Sequence, residues 1–183
     1  PHLKMAIRNT PKGRFLGADA HDLPFPADKF DLTLCHFLLL WVADPAQVVR
    51  EMRRVTRPGG NVLALAEPDY GGRIDYPPEL AQLKALQTQA LRRQEADPHL
   101  GRKLRGLFAQ AGCSEIMSGV LGGQWQQAPS PQEQALEWRV LADDLAGTVS
   151  AEALAKLQAL AQAAWDREER VLYVPTFYAW GKA

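Results

Sequence analysis

The pattern of apolar and polar residues in the first half of the chain predicts a strand–helix–strand unit. Short apolar runs, typical of buried strands, occur at residues 15–18, 30–37 and 62–66. Between the last two runs, Asp44 and Pro45 are typical of a helix start. A stripe at helical spacing follows, formed by Val48, Met52 and Val55. The sequence at 58–60 predicts a turn that ends this helix, and such short links favour parallel strands.

The second half of the chain predicts two helical additions and two further strands. The additions span residues 78–111 and 131–170, where Ser130 and Ser150 are placed to cap helices. Apolar runs at 113–121 and 170–180 predict the strands. Pro175 indicates an edge, a bulge or a strand end within the second run. The sequence of residues 1–9 predicts part of a helix.

Composition narrows the class of protein. A chain of 183 residues with 46% hydrophobic residues is long enough for one domain with a sizeable core. The 21 basic and 21 acidic residues balance, which argues against nucleic acid or an anionic membrane as the main partner. No apolar run reaches the roughly 18 residues that a membrane span needs. Cys35 and Cys113 form no metal or disulfide motif, so we expect no metal site and a cytoplasmic setting.

Four motifs in a fixed order identify a family resemblance. They are Gly17-Ala18-Asp19-Ala20, Asp22-Leu23-Pro24-Phe25, Phe30-Asp31, and Glu51 to Val55 running into Arg57-Pro58-Gly59-Gly60. Together they resemble the class I S-adenosylmethionine-dependent methyltransferases, especially the branch of the ubiquinone and menaquinone C-methyltransferases. The resemblance implies an α/β fold with a Rossmann-like, doubly wound and mostly parallel sheet. It also implies S-adenosyl-L-methionine as the cofactor. The rest of the chain follows the family in layout only.

The sequence departs from the family in one respect. No G-x-G-x-G loop follows a strand anywhere in residues 1–183. In the family this loop, with an acidic residue that binds the ribose, stands before the strand that corresponds to residues 15–18. We therefore expect residues 1–183 to be a partial methyltransferase-like domain that lacks the first strands. We also expect this segment, taken alone, to be inactive.

The resemblance assigns five residues to the cofactor. Asp19 and Ala20 correspond to the positions that contact adenine, while Cys35, His36 and Phe37 correspond to those beside its methionine part. Each has another interpretation from the residues alone. Asp19 can stabilise a local turn, Cys35 can belong to the core, and His36 can be a packed histidine.

The sequence indicates the residues that contact the methyl acceptor less clearly than those that contact the cofactor. Candidates for taking a proton from a methyl acceptor are His36, Glu67, Asp69 and Tyr70, although the last three can equally belong to a solvated loop. Tyr70 and Trp125 are candidates for contacting the acceptor, and Trp125 can also be a core residue. The additions at 78–111 and 131–170 are candidates for a lid over the cleft.

Methyl transfer needs little catalytic machinery, because the cofactor carries an activated methyl group and the protein mainly aligns the reactants. This accounts for the absence of a catalytic triad from the sequence. The leading hypothesis is methyl transfer to a small-molecule acceptor, not a nucleic acid. Two alternatives are a nucleotide- or NAD(P)-binding oxidoreductase on a similar fold, and a non-catalytic fragment that binds a partner. The oligomeric state is not predicted.

Overall fold

The computed structural model describes residues 8–10, 12–122 and 128–183. Its strands are β1 (Phe30–His36), β2 (Thr56–Pro68), β3 (Ile74–Tyr76), β4 (Ser114–Leu121), β5 (Val171–Tyr173) and β6 (Thr176–Lys182). Its α-helices are α1 (Pro45–Val55), α2 (Gln82–Arg93), α3 (Leu104–Gln110), α4 (Pro131–Asp144) and α5 (Ala151–Asp166). Short 3₁₀-helices occur at Leu39–Trp41, Tyr70–Gly72, Pro78–Leu80 and Gly101–Lys103. The predicted helix at 1–9 lies largely outside the described residues.

The main sheet has four strands in the order β1-β2-β6-β4. β1 and β2 are parallel, as the strand–helix–strand pattern predicts. β6 is antiparallel to both of its neighbours, because it returns from β5 and enters the sheet between β2 and β4. The predicted α/β fold is confirmed. The main sheet is mixed, since the β1–β2 pair is parallel and the two pairs that contain β6 are antiparallel.

β1 is an edge strand of this sheet and carries exposed apolar side chains. Leu32 is 48% exposed and Leu34 is 57% exposed. The strand predicted at residues 15–18 is wrong, since this segment is exposed and pairs with no strand in the described part of the chain. An apolar run forms a strand only where a neighbouring strand supplies hydrogen bonds.

Helix α1 begins where its capping residues predict. The side chain of Asp44 accepts a hydrogen bond from the Gln47 N–H at 2.9 Å, and Pro45 is the first helical residue. The predicted turn at 58–60 is instead an irregularity within β2. The register moves from Phe30 opposite Thr56 to Leu32 opposite Asn61, so the intervening residues bulge out of the ladder. Gly59 has a φ of +75°, which glycine adopts without strain.

The helices divide into two groups. α1 and α3 pack on the main sheet, where Val48, Met52 and Phe108 belong to the principal core. α2, α4 and α5 share a separate apolar core, formed by Leu80, Leu83, Trp138, Leu141, Leu157 and Ala161. Residues 78–111, predicted as one addition, therefore divide between the two groups. α2 belongs to the helical group with α4 and α5, whereas α3 packs on the main sheet. No helix in the described ranges is long and apolar enough to span a membrane.

The C-terminal strand is interrupted where proline predicts a break. The run predicted at 170–180 divides at Val174–Pro175 into β5 and β6. β5 lies outside the main sheet and forms an antiparallel pair with β3. Proline removes a backbone donor and so ends the pairing of β5.

A buried ion cluster joins the β3–β5 pair to the helical group. Asp75 binds Arg73 at 2.7 Å and Arg170 at 2.6 Å, and all three side chains are at most 3% exposed. Arg73 also donates to Gln87 of α2 at 2.9 Å and pairs with Glu137 of α4 at 3.3 Å. Removing one member of a buried ion pair is costly, because the remaining charge has no compensation.

We expect Asp75→Ala to lower the free energy of unfolding by about 3–5 kcal/mol, because two buried guanidinium groups lose their shared carboxylate. Urea unfolding measures the change. Glu152→Ala is the control, since Glu152 pairs with Lys156 at the surface and its loss should cost less than about 0.5 kcal/mol. Equal stability of the two variants would contradict this assignment.

Candidate functional site

The carboxyl ends of β1 and β2 lie side by side, because the strands are parallel and paired through His36 and Leu65. In open α/β sheets, ligands bind outside the carboxyl ends of the strands. The segment after β1 contains Phe37, and the segment after β2 contains Asp69 and Tyr70. Most of the residues predicted for the site therefore meet at this edge.

Glu67 connects the two strand ends. Its carboxylate is fully buried and accepts the N–H of Leu38 at 2.9 Å and the N–H of Leu39 at 3.1 Å. The second carboxylate oxygen also lies 3.1 Å from the Leu39 nitrogen. These contacts hold the segment that follows β1, including Phe37, whose φ is +52°. They favour a positioning role for Glu67 over transfer of a proton.

Cys35 belongs to the core beside Glu67. It is buried, and its sulfur lies 4.0 Å from Glu67 Oε1. Burial, together with the nearby negative charge of Glu67, raises the pKa of the Cys35 thiol to about 12. The side chain is therefore a neutral thiol at physiological pH and a poor nucleophile.

His36 and Phe37 are the exposed side chains at the end of β1. Phe37 is 39% exposed, and the two ring centroids are 6.5 Å apart. The His36 ring forms no hydrogen bond with any residue that the structure describes. His36 is therefore not the packed histidine that the alternative interpretation suggested.

Asp69 is buried and already paired. Arg102 contacts both carboxylate oxygens, with a distance of 2.7 Å to Oδ1, and the Gly72 N–H donates to Oδ1 at 3.0 Å. Burial alone would raise the pKa of Asp69, but the Arg102 guanidinium outweighs this effect and the pKa lies below its usual value. A carboxylate with a low pKa accepts a proton poorly, so this geometry also favours a structural role.

Tyr70 follows directly and is partly buried against the principal core. Burial, with a smaller contribution from the charge of Asp144, raises the pKa of the Tyr70 hydroxyl to about 12. The hydroxyl is therefore protonated at physiological pH and can donate a hydrogen bond. Trp125, the other residue predicted to contact an acceptor, lies outside the described residues.

The Asp19 loop is docked on the start of α1. Asp19 Oδ1 accepts the His21 N–H at 2.9 Å and contacts His21 Nδ1 at 2.8 Å. His21 Nε2 accepts the Asp44 N–H at 3.2 Å, and the His21 carbonyl accepts from the Gln47 side chain. Hydrogen bonding by the His21 backbone lowers the pKa of the exposed Asp19 carboxyl. Asp19 thus stabilises a local turn, and its Oδ2 accepts no hydrogen bond from the described residues.

An apolar groove of about 250 Å³ runs between this loop and β1. Its lining includes Ala20, Leu23, Leu34, Cys35 and Leu38. Flat apolar walls beside an exposed carboxylate oxygen suit an aromatic ring that carries an amine donor. The chemistry of these residues is compatible with the adenine end of S-adenosylmethionine, and the assignment of Asp19 and Ala20 to it stays a prediction.

Sequence reasoning assigned no role to Arg54 beyond its place in the family motif from Glu51 to Val55. Arg54 donates to the carbonyls of Leu23 and Phe25 at 2.9 and 2.8 Å and pairs with Glu51 at 2.7 Å. Glu51 in turn accepts the Leu23 N–H at 2.8 Å. The pair fixes the turn at residues 22–25 beside the groove. The signal was present, since Glu51, Arg54 and the turn all belong to the motifs that carry the family resemblance.

Comparison with known protein families gives a match over residues 2–64, to the family described as a methyltransferase domain. An uncharacterized methyltransferase of Schizosaccharomyces pombe is 38% identical over 87 residues, which are 47% of this chain and 31% of that protein. A demethylmenaquinone methyltransferase of Lysinibacillus sphaericus is 31% identical over 130 residues, which are 64% of this chain and 56% of that protein. The chain therefore spans from about a third to just over half of these relatives.

Solved structures share the fold at low sequence identity. A protein of Anabaena variabilis assigned as a methyltransferase of an antibiotic biosynthesis pathway aligns with a TM-score of 0.61 and 13% identity. The alignment covers 99% of this chain and 79% of that chain. An S-adenosylmethionine-dependent methyltransferase of Thermotoga maritima aligns with a TM-score of 0.51 and 15% identity, over 98% and 69% of the two chains. These similarities establish the fold.

We expect Glu67→Gln to lower the free energy of unfolding by about 1.5–3 kcal/mol, because an uncharged amide accepts the Leu38 and Leu39 N–H groups less strongly. In the same variant, amide hydrogen exchange at Leu38 and Leu39 should become faster. The control is Glu115→Gln, an exposed substitution in β4 that should change stability by less than about 0.5 kcal/mol. Unchanged exchange at both amides would show that Glu67 does not hold this segment.

Proposed function

Since the chain is related to the class I S-adenosylmethionine-dependent methyltransferases, in the branch of the ubiquinone and menaquinone C-methyltransferases, we propose that it transfers a methyl group to a small-molecule acceptor. One observation carries the proposal. The segment that matches the methyltransferase domain, residues 2–64, contains β1, α1 and all five candidate cofactor-binding residues, from Asp19 to Phe37. The relatives favour neither an oxidoreductase nor a non-catalytic fragment.

The cofactor contacts are assigned by position. Asp19 and Ala20 hold the adenine end, with Asp19 Oδ2 accepting the amine and the groove beside Ala20 receiving the ring. Cys35, His36 and Phe37 line the other end, which Glu67 positions through the backbone of Leu38 and Leu39. When bound, S-adenosylmethionine supplies a methyl group on a sulfonium, which needs no further activation.

The acceptor loses a proton when it gains a methyl group, and His36 is the best placed of the four candidates to take it. Its ring is exposed at the strand end, whereas Glu67 and Asp69 are buried and held by other groups. Tyr70 keeps its proton and orients the acceptor by donating a hydrogen bond.

The helical group formed by α2, α4 and α5 covers the acceptor and selects it. Glu137 of α4 pairs with Arg73. Since Arg73 is three residues after Tyr70, this ion pair holds the helical group near the carboxyl end of β2. Relatives that match part of this chain are named for different acceptors. One is the demethylmenaquinone methyltransferase above, and another is a malonyl-[acyl-carrier protein] O-methyltransferase of Halorhodospira halophila, 42% identical over 50 residues. Selection of the acceptor by the helical group of α2, α4 and α5 explains this difference.

We place the reaction in the cytoplasm and assign no nucleic-acid partner.

A transfer assay tests the proposal directly. The complete product of the gene is incubated with S-adenosylmethionine labelled on its methyl group and with a panel of small acceptors, beginning with demethylmenaquinone and other quinols. We expect label in an acceptor and equimolar S-adenosylhomocysteine. Complete protein that binds no S-adenosylhomocysteine would contradict the proposal.

The assignment of Asp19 has its own test. In calorimetry with S-adenosylhomocysteine, Asp19→Ala should weaken binding about ten- to a hundredfold, the effect of losing one charge-assisted hydrogen bond. Asp19→Asn keeps an oxygen for the His21 N–H and separates loss of charge from loss of the turn. Asp31→Ala is the control, because Asp31 pairs with Arg57 at the exposed far end of β1. Wild-type affinity in both Asp19 variants would refute the adenine contact.

A further inference from the structure

A second pocket, separate from the groove beside β1, lies between α2 and the turn at Tyr70–Gly72. It has a volume of about 340 Å³. Its lining contains the basic side chains of Lys84, Arg92 and His99 and the hydroxyl of Thr88, but no acidic side chain. In a protein whose formal charges balance, this is a local excess of positive charge.

The polar groups of this pocket are arranged along one line. Lys84, Thr88 and Arg92 are spaced four residues apart in α2, so they lie on the same face of the helix. Arg92 donates to His99 Nε2 at 3.0 Å, which fixes the guanidinium at one end of the row. The close approach of His99 depends on Gly71, since a Cβ at that position would lie 2.0 Å from the imidazole ring.

Two features indicate that the pocket is made for a ligand. The Thr88 hydroxyl is closed off from solvent and has no hydrogen-bond partner in the described residues, although buried polar atoms are nearly always bonded. Lys84 and Arg92 form no ion pair with any acidic residue that the structure describes. Two carboxylates lie beside His99, and each already has a basic partner. Asp69 Oδ1 is 3.7 Å from His99 Nδ1 and pairs with Arg102. Asp97 Oδ1 accepts the His99 backbone N–H at 3.0 Å, and Asp97 pairs with Lys103.

We propose that this pocket binds a phosphate group. Arg92 presents a planar fork of N–H donors, and Lys84 supplies a compact positive charge. Rotation of the Thr88 side chain to another staggered rotamer lets its hydroxyl donate a further hydrogen bond. This combination matches the tetrahedral oxygens and the double negative charge of phosphate. The group is either inorganic phosphate or the end of an organic phosphate monoester. The pocket shares α2 and the Tyr70–Gly72 turn with the proposed acceptor site, but phosphate binding is measured without methyl transfer, so either proposal can fail alone.

The test measures anion binding by calorimetry and by backbone amide shifts of α2, at constant ionic strength set with chloride. Inorganic phosphate and phenyl phosphate are titrated separately into wild type, Lys84→Gln, Arg92→Gln and Thr88→Val. We expect the two charge variants to bind at least about tenfold more weakly, as loss of a charged hydrogen bond predicts. Thr88→Val keeps the shape and every charge, so a weaker affinity in it identifies the hydroxyl. Circular dichroism confirms that each variant is folded.

Arg93→Gln is the matched control, since Arg93 is exposed on the same helix and lies outside the pocket lining. It should bind within twofold of wild type. Tighter binding of phenyl phosphate than of inorganic phosphate supports a monoester as the ligand, and the reverse order supports the free ion. Equal weakening by Arg93→Gln and Arg92→Gln would show general surface attraction and overturn the proposal. Shifts no larger than those produced by chloride would also overturn it.

Discussion

The buried carboxylate of Glu67 is the interaction on which the site depends. It lies at the end of β2 and accepts backbone N–H groups from the segment that follows β1. A carboxylate inside a protein requires such partners, because an unpaired buried charge costs several kcal/mol. The contact therefore fixes the spacing of the two strand ends, and with it the positions of His36 and Phe37. A cofactor and an acceptor that bind there meet an edge that is already formed.

Acidic side chains also hold the other loops of this edge. Glu51 and Arg54 hold the turn at 22–25, and Arg102 holds Asp69 beside Tyr70. In each case an acidic side chain satisfies backbone or guanidinium donors, so it does not serve as a free base on this surface. Such a surface suits a reaction in which the protein aligns the reactants and excludes water. Methyl transfer is a reaction of this kind, so the scarcity of exposed catalytic acids and bases at this edge is expected of it.

Local signals in the sequence predicted the elements whose causes are local. The Asp44 cap and the Ser130 capping box each lie within three residues of their partners, and both helices begin where they indicate. Features with distant causes were missed. The apolar run at 15–18 forms no strand, because pairing depends on a neighbouring strand. The contacts of Asp69 with Arg102, and of Arg54 with the 22–25 turn, span about thirty residues. Spacing along the chain does not encode such contacts, although the family motifs marked two of the residues involved.

A crystal structure of the complete gene product with S-adenosylhomocysteine tests the central claim most directly. The account predicts that the adenine ring lies in the groove beside Ala20, with its amine on Asp19 Oδ2. It also predicts that the homocysteine end lies against His36 and Phe37, while Glu67 keeps its contacts with the backbone after β1. The account is contradicted if the ligand lies elsewhere, such as in the cavity of about 620 Å³ between α2 and α5, or if Glu67 leaves the backbone to bind the ligand itself.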